Sequence, residues 1–353
     1  MRKTALKWAA VVATGSVLLT GCGMFGQEKA SETIDPPVKV SEGSKDAAQT
    51  KTKENAQADK KTEMVKRELY LMDKNGYVVP QTVELPAAQG NAYMKQALEY
   101  LVKDGPVSNL LPNGFQAVLP ANTVVKGVDI KDGTAVADFS DDFKKYKKEE
   151  ERKIVESITW TLTQFKGVKQ VKLRINGQDV AKMPVNNTPV NGLSRADGIN
   201  FDDEQVADVM NTKPVTLYFV AQNNKQVYYV PVTRRIAADT DDKVKAVIQE
   251  LVKGPSHRST LVSEFNSDAR LISDPKFENG KVTLNFNENI YGSVGKNIIS
   301  DHVLNSLVLS LTEQRGIEGV AIQVNGKSDL LTEKGEKLTK PVSRPQNVNT
   351  GSF

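Results

Sequence analysis

The sequence predicts an α+β fold built twice: two tandem domains, each a mixed β-sheet with two helices packed on one face. Three observations carry this reading. Short motifs occur twice in the same order along the chain. Each copy alternates strand-like and helix-like periodicity in the order β-β-α-β-β-α-β. The strands alternate apolar and polar residues, which leaves one face of each sheet polar.

The repeat is read from paired segments. Leu69-Tyr70-Leu71 matches Leu217-Tyr218-Phe219, and Val79-Pro80 matches Val230-Pro231. Asn75-Gly76 marks a hairpin turn between the first two strands. Helical spacing follows at Met94, Ala97, Leu98 and Leu101, and at Val244, Val247, Ile248, Leu251 and Val252. Gly105-Pro106, preceded by an inserted Asp104, and Gly254-Pro255 stop these helices. Two strands meet at Asp132-Gly133 and at Asn279-Gly280, and they pair Phe139 with Phe286. A second helix places Ile154, Ile158, Leu162 and Phe165 on one face, with Val303, Leu307 and Leu311 as counterparts. The last strand alternates Val171, Leu173 and Ile175 with Lys172 and Arg174, and matches Val320, Ile322 and Val324. These matches bound a first domain at 67–190, a linker at 191–213 and a second domain at 214–331. A flexible tail is expected at 332–353.

The N-terminus has a different character. Arg2, Lys3 and Lys7 precede a short apolar run from Trp8 to Leu19. A bilayer span needs about 20 apolar residues, so this run reads as a secretion signal, residues 1–21. Leu19-Thr20-Gly21-Cys22 resembles a bacterial lipobox, which implies a diacylglyceryl group on Cys22. Two acyl chains anchor stably where one binds only marginally. Residues 22–66 are rich in Lys, Glu, Ala, Gln, Ser and Thr, too polar to offset the entropy of ordering, and read as a disordered tether. The expected location is the extracytoplasmic face of the cell membrane.

Composition limits the chemistry. The single cysteine lies in the lipobox, which leaves none for disulfides, thiolate catalysis or zinc. The formal charge of +4 falls to +1 without the signal's three cations, so nucleic acid is not an expected partner. Ser293-Val294-Gly295-Lys296 matches a short nucleophile motif of serine enzymes but lacks its partner motifs. Asp301 and His302 are adjacent, and neighbours on a helix do not face each other. His257 follows a helix stop and reads as a solvated loop residue. Asp138, Asp141 and Asp142, with Asn285, Asn287, Glu288 and Asn289, follow equivalent strands and read as strand-end turns rather than a calcium loop. No cofactor, no metal and no enzymatic activity are expected.

A lipobox, a polar tether and two such copies resemble the GerM family of spore-forming Gram-positive bacteria, whose repeats are GerMN domains. The residues carrying the resemblance are Leu19-Thr20-Gly21-Cys22, Leu251-Val252-Lys253-Gly254-Pro255 with its first-copy partner, and the strand pairs around Phe139 and Phe286. The resemblance implies a non-catalytic lipoprotein of sporulation and germination, with domains similar to the ring-building folds of secretion systems. It also implies protein partners in the channel complex between mother cell and forespore, with self-association as a further option. The polar strand positions Lys172, Arg174 and Gln323 are the expected contact surface. Two alternatives stay open: a peptidoglycan- or small-ligand-binding module, and a cell-wall hydrolase.

Overall fold

The computed structural model describes residues 63–350 except 89, 91, 112, 203–209, 224–225 and 292–296. The first copy opens with an antiparallel hairpin, β1 (Met64–Asp73) and β2 (Val78–Pro86), turned at Asn75-Gly76. Gly76 adopts φ 82 there, a left-handed value that suits glycine. Helix α1 (Ala92–Glu99) follows, then β3 (Phe115–Gln116), which pairs with the far end of β1. Next come β4 (Val125–Lys131), β5 (Thr134–Phe139), helix α2 (Glu151–Thr163), β6 (Gln170–Ile175) and β7 (Gln178–Val180). These strands form one sheet in the order β4-β5-β6-β7, with β5 and β6 parallel across the α2 crossover.

The second copy repeats the plan. Its hairpin is β8 (Thr212–Asn223) and β9 (Gln226–Ala237), followed by α3 (Lys243–Lys253). Then come β10 (Lys276–Glu278), β11 (Lys281–Phe286), β12 (Ile298–Ile299), α4 (Asp301–Thr312), β13 (Gly319–Val324), β14 (Leu331–Thr332) and β15 (Val342–Ser343). The sheet order is β10-β11-β13-β15, and β11 and β13 are again parallel. The α3 helix has clear ends: the Asp242 carboxylate accepts from the N–H groups of Val244 and Lys245, and Gly254 closes it at φ 81. In the first copy Asp104 takes a positive φ of 60 and α1 stops earlier, so Leu101 is buried in a turn beyond the helix.

The α+β class and the tandem repeat stand as the sequence predicts, but the layering differs. The hairpins do not join the four-stranded sheets: β1 and β2 form a sheet with β3, and β8 and β9 a sheet of their own. Helices α2 and α4 each lie between a hairpin and a sheet. Every residue from Ile154 to Leu162 is therefore buried, where periodicity assigned α2 one buried face. The second face is polar because it meets the unpaired edge of a hairpin strand. The Tyr70 N–H donates to Thr161 Oγ1 at 3.0 Å, and Ser157 Oγ donates to the Tyr70 carbonyl at 2.5 Å. In the second copy the Tyr218 N–H donates to Ser310 Oγ at 2.8 Å. Helix hydroxyls thus complete the hydrogen bonding of an edge strand and shield it.

The copies also share a core. Val79 and Phe115 of the first pack among the buried side chains of the second. The Phe115 and Tyr228 rings meet edge-on at 5.1 Å, and Tyr228 donates to the buried Asp73 carboxylate at 2.8 Å. The flexible tail expected at 332–353 is corrected as far as residue 350. Strand β14 pairs with β12, β15 pairs with β13, and Val348 is buried. The reason is that this segment, like the linker, has fixed partners in the fold.

Candidate functional site

The expected contact residues lie on outward strand positions. Lys172 is exposed on β6, beside Arg174, whose Nε donates to Asp179 at 2.5 Å. Gln323 takes the position on β13 equivalent to Arg174, and its amide donates to Ser328 Oγ at 3.3 Å. The three therefore belong to two separate sheets, one per copy.

The catalytic candidates are not brought together. Ser293 and Lys296 lie outside the described residues, as does Cys22. His302 sits in the first turn of α4, with Nδ1 3.1 Å from the Tyr229 hydroxyl and Nε2 3.9 Å from Glu264. Its neighbours are thus Tyr229 and Glu264 rather than Asp301. Asn305 donates to the same Tyr229 hydroxyl at 2.9 Å, and burial pushes that phenol up to about 12. His257 is exposed in its loop. Oxygen-bearing residues at the ends of β5 and β11 hold turns: Asp138 accepts from the Gly177 N–H and Asn285 from the Gly326 N–H, at 3.0 and 2.9 Å.

What sequence reading missed is a pair of straps, one following each copy. The first, 193–200, and the second, 342–349, share the pattern Ser-Arg, three residues, Ile or Val, then Asn. Both begin by pairing with the last helix-linked strand of their own copy, Leu193 with Val171 and Val342 with Val320. Both end on an asparagine with positive φ, 46 at Asn200 and 55 at Asn349.

The Asn200 amide accepts from the Val78 N–H at 2.8 Å and donates to the carbonyls of Val78 and Pro231 at 2.7 and 2.8 Å. Asn349 accepts from the Tyr229 N–H and donates to the carbonyls of Tyr229 and Pro80, each at 2.8 Å. Val78 and Tyr229 are equivalent positions, as are Pro80 and Pro231. Each asparagine therefore joins the hairpin of its own copy to that of the other. The neighbouring contacts are reciprocal as well. Ile199 exchanges hydrogen bonds with Thr233, while Thr82 Oγ1 donates to the Val348 carbonyl at 2.8 Å. The apolar side chains match too: Ile199 packs with Tyr70, Val78 and Trp160, and Val348 with Tyr218, Leu309 and Tyr229.

Between the straps lies a half-buried ion cluster. Glu313 Oε1 accepts from Arg195 Nη1 at 2.8 Å and from the Tyr218 hydroxyl at 2.9 Å, and it pairs with Arg344 Nη1 at 3.1 Å. Burial would raise the Glu313 carboxyl, but Arg195 and Arg344 outweigh it and hold the group below the usual carboxylate range. Glu68 lies close by and is raised, because burial prevails there over the same two arginines. The Arg195 guanidinium also stacks 4.4 Å from the centre of the Trp160 ring. A cleft of about 1090 Å³ opens beside this cluster, lined in part by Arg195, Lys243, Asp274, Phe277 and Glu313.

A family model described as Germane, sporulation and spore germination, matches residues 68–181 and again 216–329. The chain is 54% identical to the spore germination protein GerM of Bacillus subtilis (strain 168), over 96% of each sequence. Its fold superposes on the tandem GerMN domains of the Bacillus subtilis sporulation protein GerM with a TM-score of 0.76. That match is at 57% identity and covers 81% of this chain and all of that one.

The chain belongs to the Germane family of sporulation and spore-germination proteins. Its two copies are tandem GerMN domains. The two family matches end at 181 and 329, before the straps begin. The signal that could have revealed the straps was present in the sequence as Ser194-Arg195 to Asn200 against Ser343-Arg344 to Asn349. It is short and polar, and hydrophobic periodicity passes over it.

Proposed function

We propose that this GerMN protein is a lipid-anchored, non-catalytic scaffold of sporulation and germination, supporting the channel complex between mother cell and forespore. The observation that supports the non-catalytic part is the pairing of its half-buried charges. Glu313 Oε1 meets Arg195, Arg344 and Tyr218, and the two guanidiniums hold the carboxyl low, so the group serves as an ionised anchor that joins the repeats. The outward strand positions, including Lys172, Arg174 and Gln323, then supply partner contacts. Lipid on Cys22 supplies local concentration at the membrane. No helix among the described residues is long and apolar enough to cross a membrane.

A peptidoglycan- or small-ligand-binding role is the second reading, supported by the cleft beside the ion cluster. One set of variants separates these from a hydrolase. Cys22→Ala should release the protein from the membrane and lower spore yield. Ser293→Ala, Asp301→Asn and His302→Gln should each leave yield near wild type. Loss of function in any of those three, with the protein folded and membrane-bound, would replace the scaffold with an enzyme. Co-purification from sporulating cells identifies the partner directly.

A further inference from the structure

We propose that the groove filled by residues 342–350 is a self-recognition site, which a second copy of this chain can fill with its own 342–350 segment. This mode of association stands on the strap geometry and does not depend on the scaffold reading.

The first ground is duplication. One strap pattern is bound twice in the same molecule, by equivalent groups, at Val78 and Pro231 in one case and Tyr229 and Pro80 in the other. The contact is reciprocal, the geometry of an isologous two-fold interface. Recognition uses few elements: the Asn349 amide on three main-chain groups, Val348 in an apolar pocket, and Arg344 on Glu313 and the Tyr218 hydroxyl. Pro345, Gln346 and Asn347 between them are exposed.

The second ground is the connection leading to the strap. Residues 333–340 are exposed apart from the half-buried Leu338. Its hydrogen bonds return to adjoining residues, the Leu338 N–H to the Leu330 carbonyl and Glu336 with Thr332, so the segment is a local turn that can serve as the hinge for exchanging an identical element between copies. Within one chain the tether favours closure on itself, so exchange requires high local concentration or transient opening.

The probe is a fluorescein-labelled peptide of residues 340–353, titrated into the full chain. The Arg344→Ala/Asn349→Ala variant, whose own strap is weakened, should bind it saturably. Wild type should bind at least tenfold more weakly, because its groove is occupied. A peptide carrying Asn349→Ala should also bind at least tenfold more weakly than the native peptide. A folded variant that takes up no peptide, or that binds a scrambled one equally, would overturn the proposal. If the double variant does not fold, wild type alone decides. It is partly unfolded in urea at high concentration, refolded, and examined by sedimentation velocity. A dimer that excess free peptide suppresses is the expected result. A wild-type chain that stays monomeric, or dimers that the peptide leaves untouched, would overturn exchange between copies.

Discussion

Asn200 offers the sharpest test of the strap architecture. It is buried, and its amide meets three main-chain groups from two repeats at 2.7–2.8 Å. Leaving a buried donor or acceptor without a partner costs about 1–3 kcal/mol each, less where water enters. For Asn200→Gly the expected loss is therefore about 3–5 kcal/mol, a large part of the roughly 5–15 kcal/mol that holds a typical domain folded. Glycine accepts the φ of 46 without strain, so this variant isolates the hydrogen bonds. Asn200→Ala should lose about 1 kcal/mol more, because a β-carbon is disfavoured in the left-handed region. Asn200→Asp keeps the acceptor for the Val78 N–H and for Lys153 Nζ, 3.0 Å away, but turns a carboxylate toward two carbonyls, and should remain less stable than wild type.

The assay is equilibrium urea unfolding followed by tryptophan fluorescence. Of the two tryptophans, Trp8 lies outside the described residues, while Trp160 donates to the Gly198 carbonyl at 3.1 Å inside the strap. A loss below about 1 kcal/mol for Asn200→Gly, or wild-type stability for Asn200→Asp, would refute the reasoning.

Further expectations concern buried carboxylates and the outer faces. Glu151 is fully buried and accepts from Tyr146, from the N–H groups of Val185, Asn186 and Thr188, and from the Thr188 hydroxyl. Burial raises its carboxyl, but these bonds prevail and lower it. Its stabilisation is thus present above the ordinary glutamate range and lost as pH falls through the depressed value. Wild type should lose more stability than Glu151→Gln between neutral and acid pH, and parallel pH–stability curves would reject this. Glu313→Gln leaves two half-buried guanidiniums facing a neutral amide, with an expected cost of about 1–3 kcal/mol in thermal or urea unfolding once solvent screening is allowed for. A cost under about 1 kcal/mol would show that the cluster is more hydrated than its burial indicates. Reversing charge with Lys172→Glu and Arg174→Glu together should weaken partner capture from sporulating cells by at least tenfold at unchanged melting temperature. Capture at wild-type yield would place the contact elsewhere.

The sequence reading and the structure part at identifiable residues. The hairpins, the four helices and the parallel strand pairs around Phe139 and Phe286 were legible, because apolar periodicity records which side of an element faces a core. The second buried face of α2 was not. Ser157 and Thr161 are polar, and a pattern read along one helix takes hydroxyls for solvent-facing groups. Here they bond the open edge of β1. The segments 191–213 and 332–353 read as linker and tail for a similar reason: their anchors are single Arg, Ile or Val, and Asn residues spaced too widely to form a periodic stripe. Lys172 and Arg174 lie on the sheet of the first copy and Gln323 on that of the second, at strand positions whose side chains alternate with the core-facing ones.

The sequence by itself determined the order of elements, the duplication and the scarcity of reactive groups, since each follows from residue identity and local spacing. Only the tertiary structure decided that the repeats interlock. Asn200 and Asn349 act on main-chain carbonyls of Pro231 and Pro80, and a carbonyl carries no side-chain signature by which a distant partner could be read. Likewise, Arg195, Glu313 and Arg344 become one cluster only when three remote segments are packed together. Their partial removal from water then strengthens the interaction of their charges, where in an unfolded chain water would keep them independent.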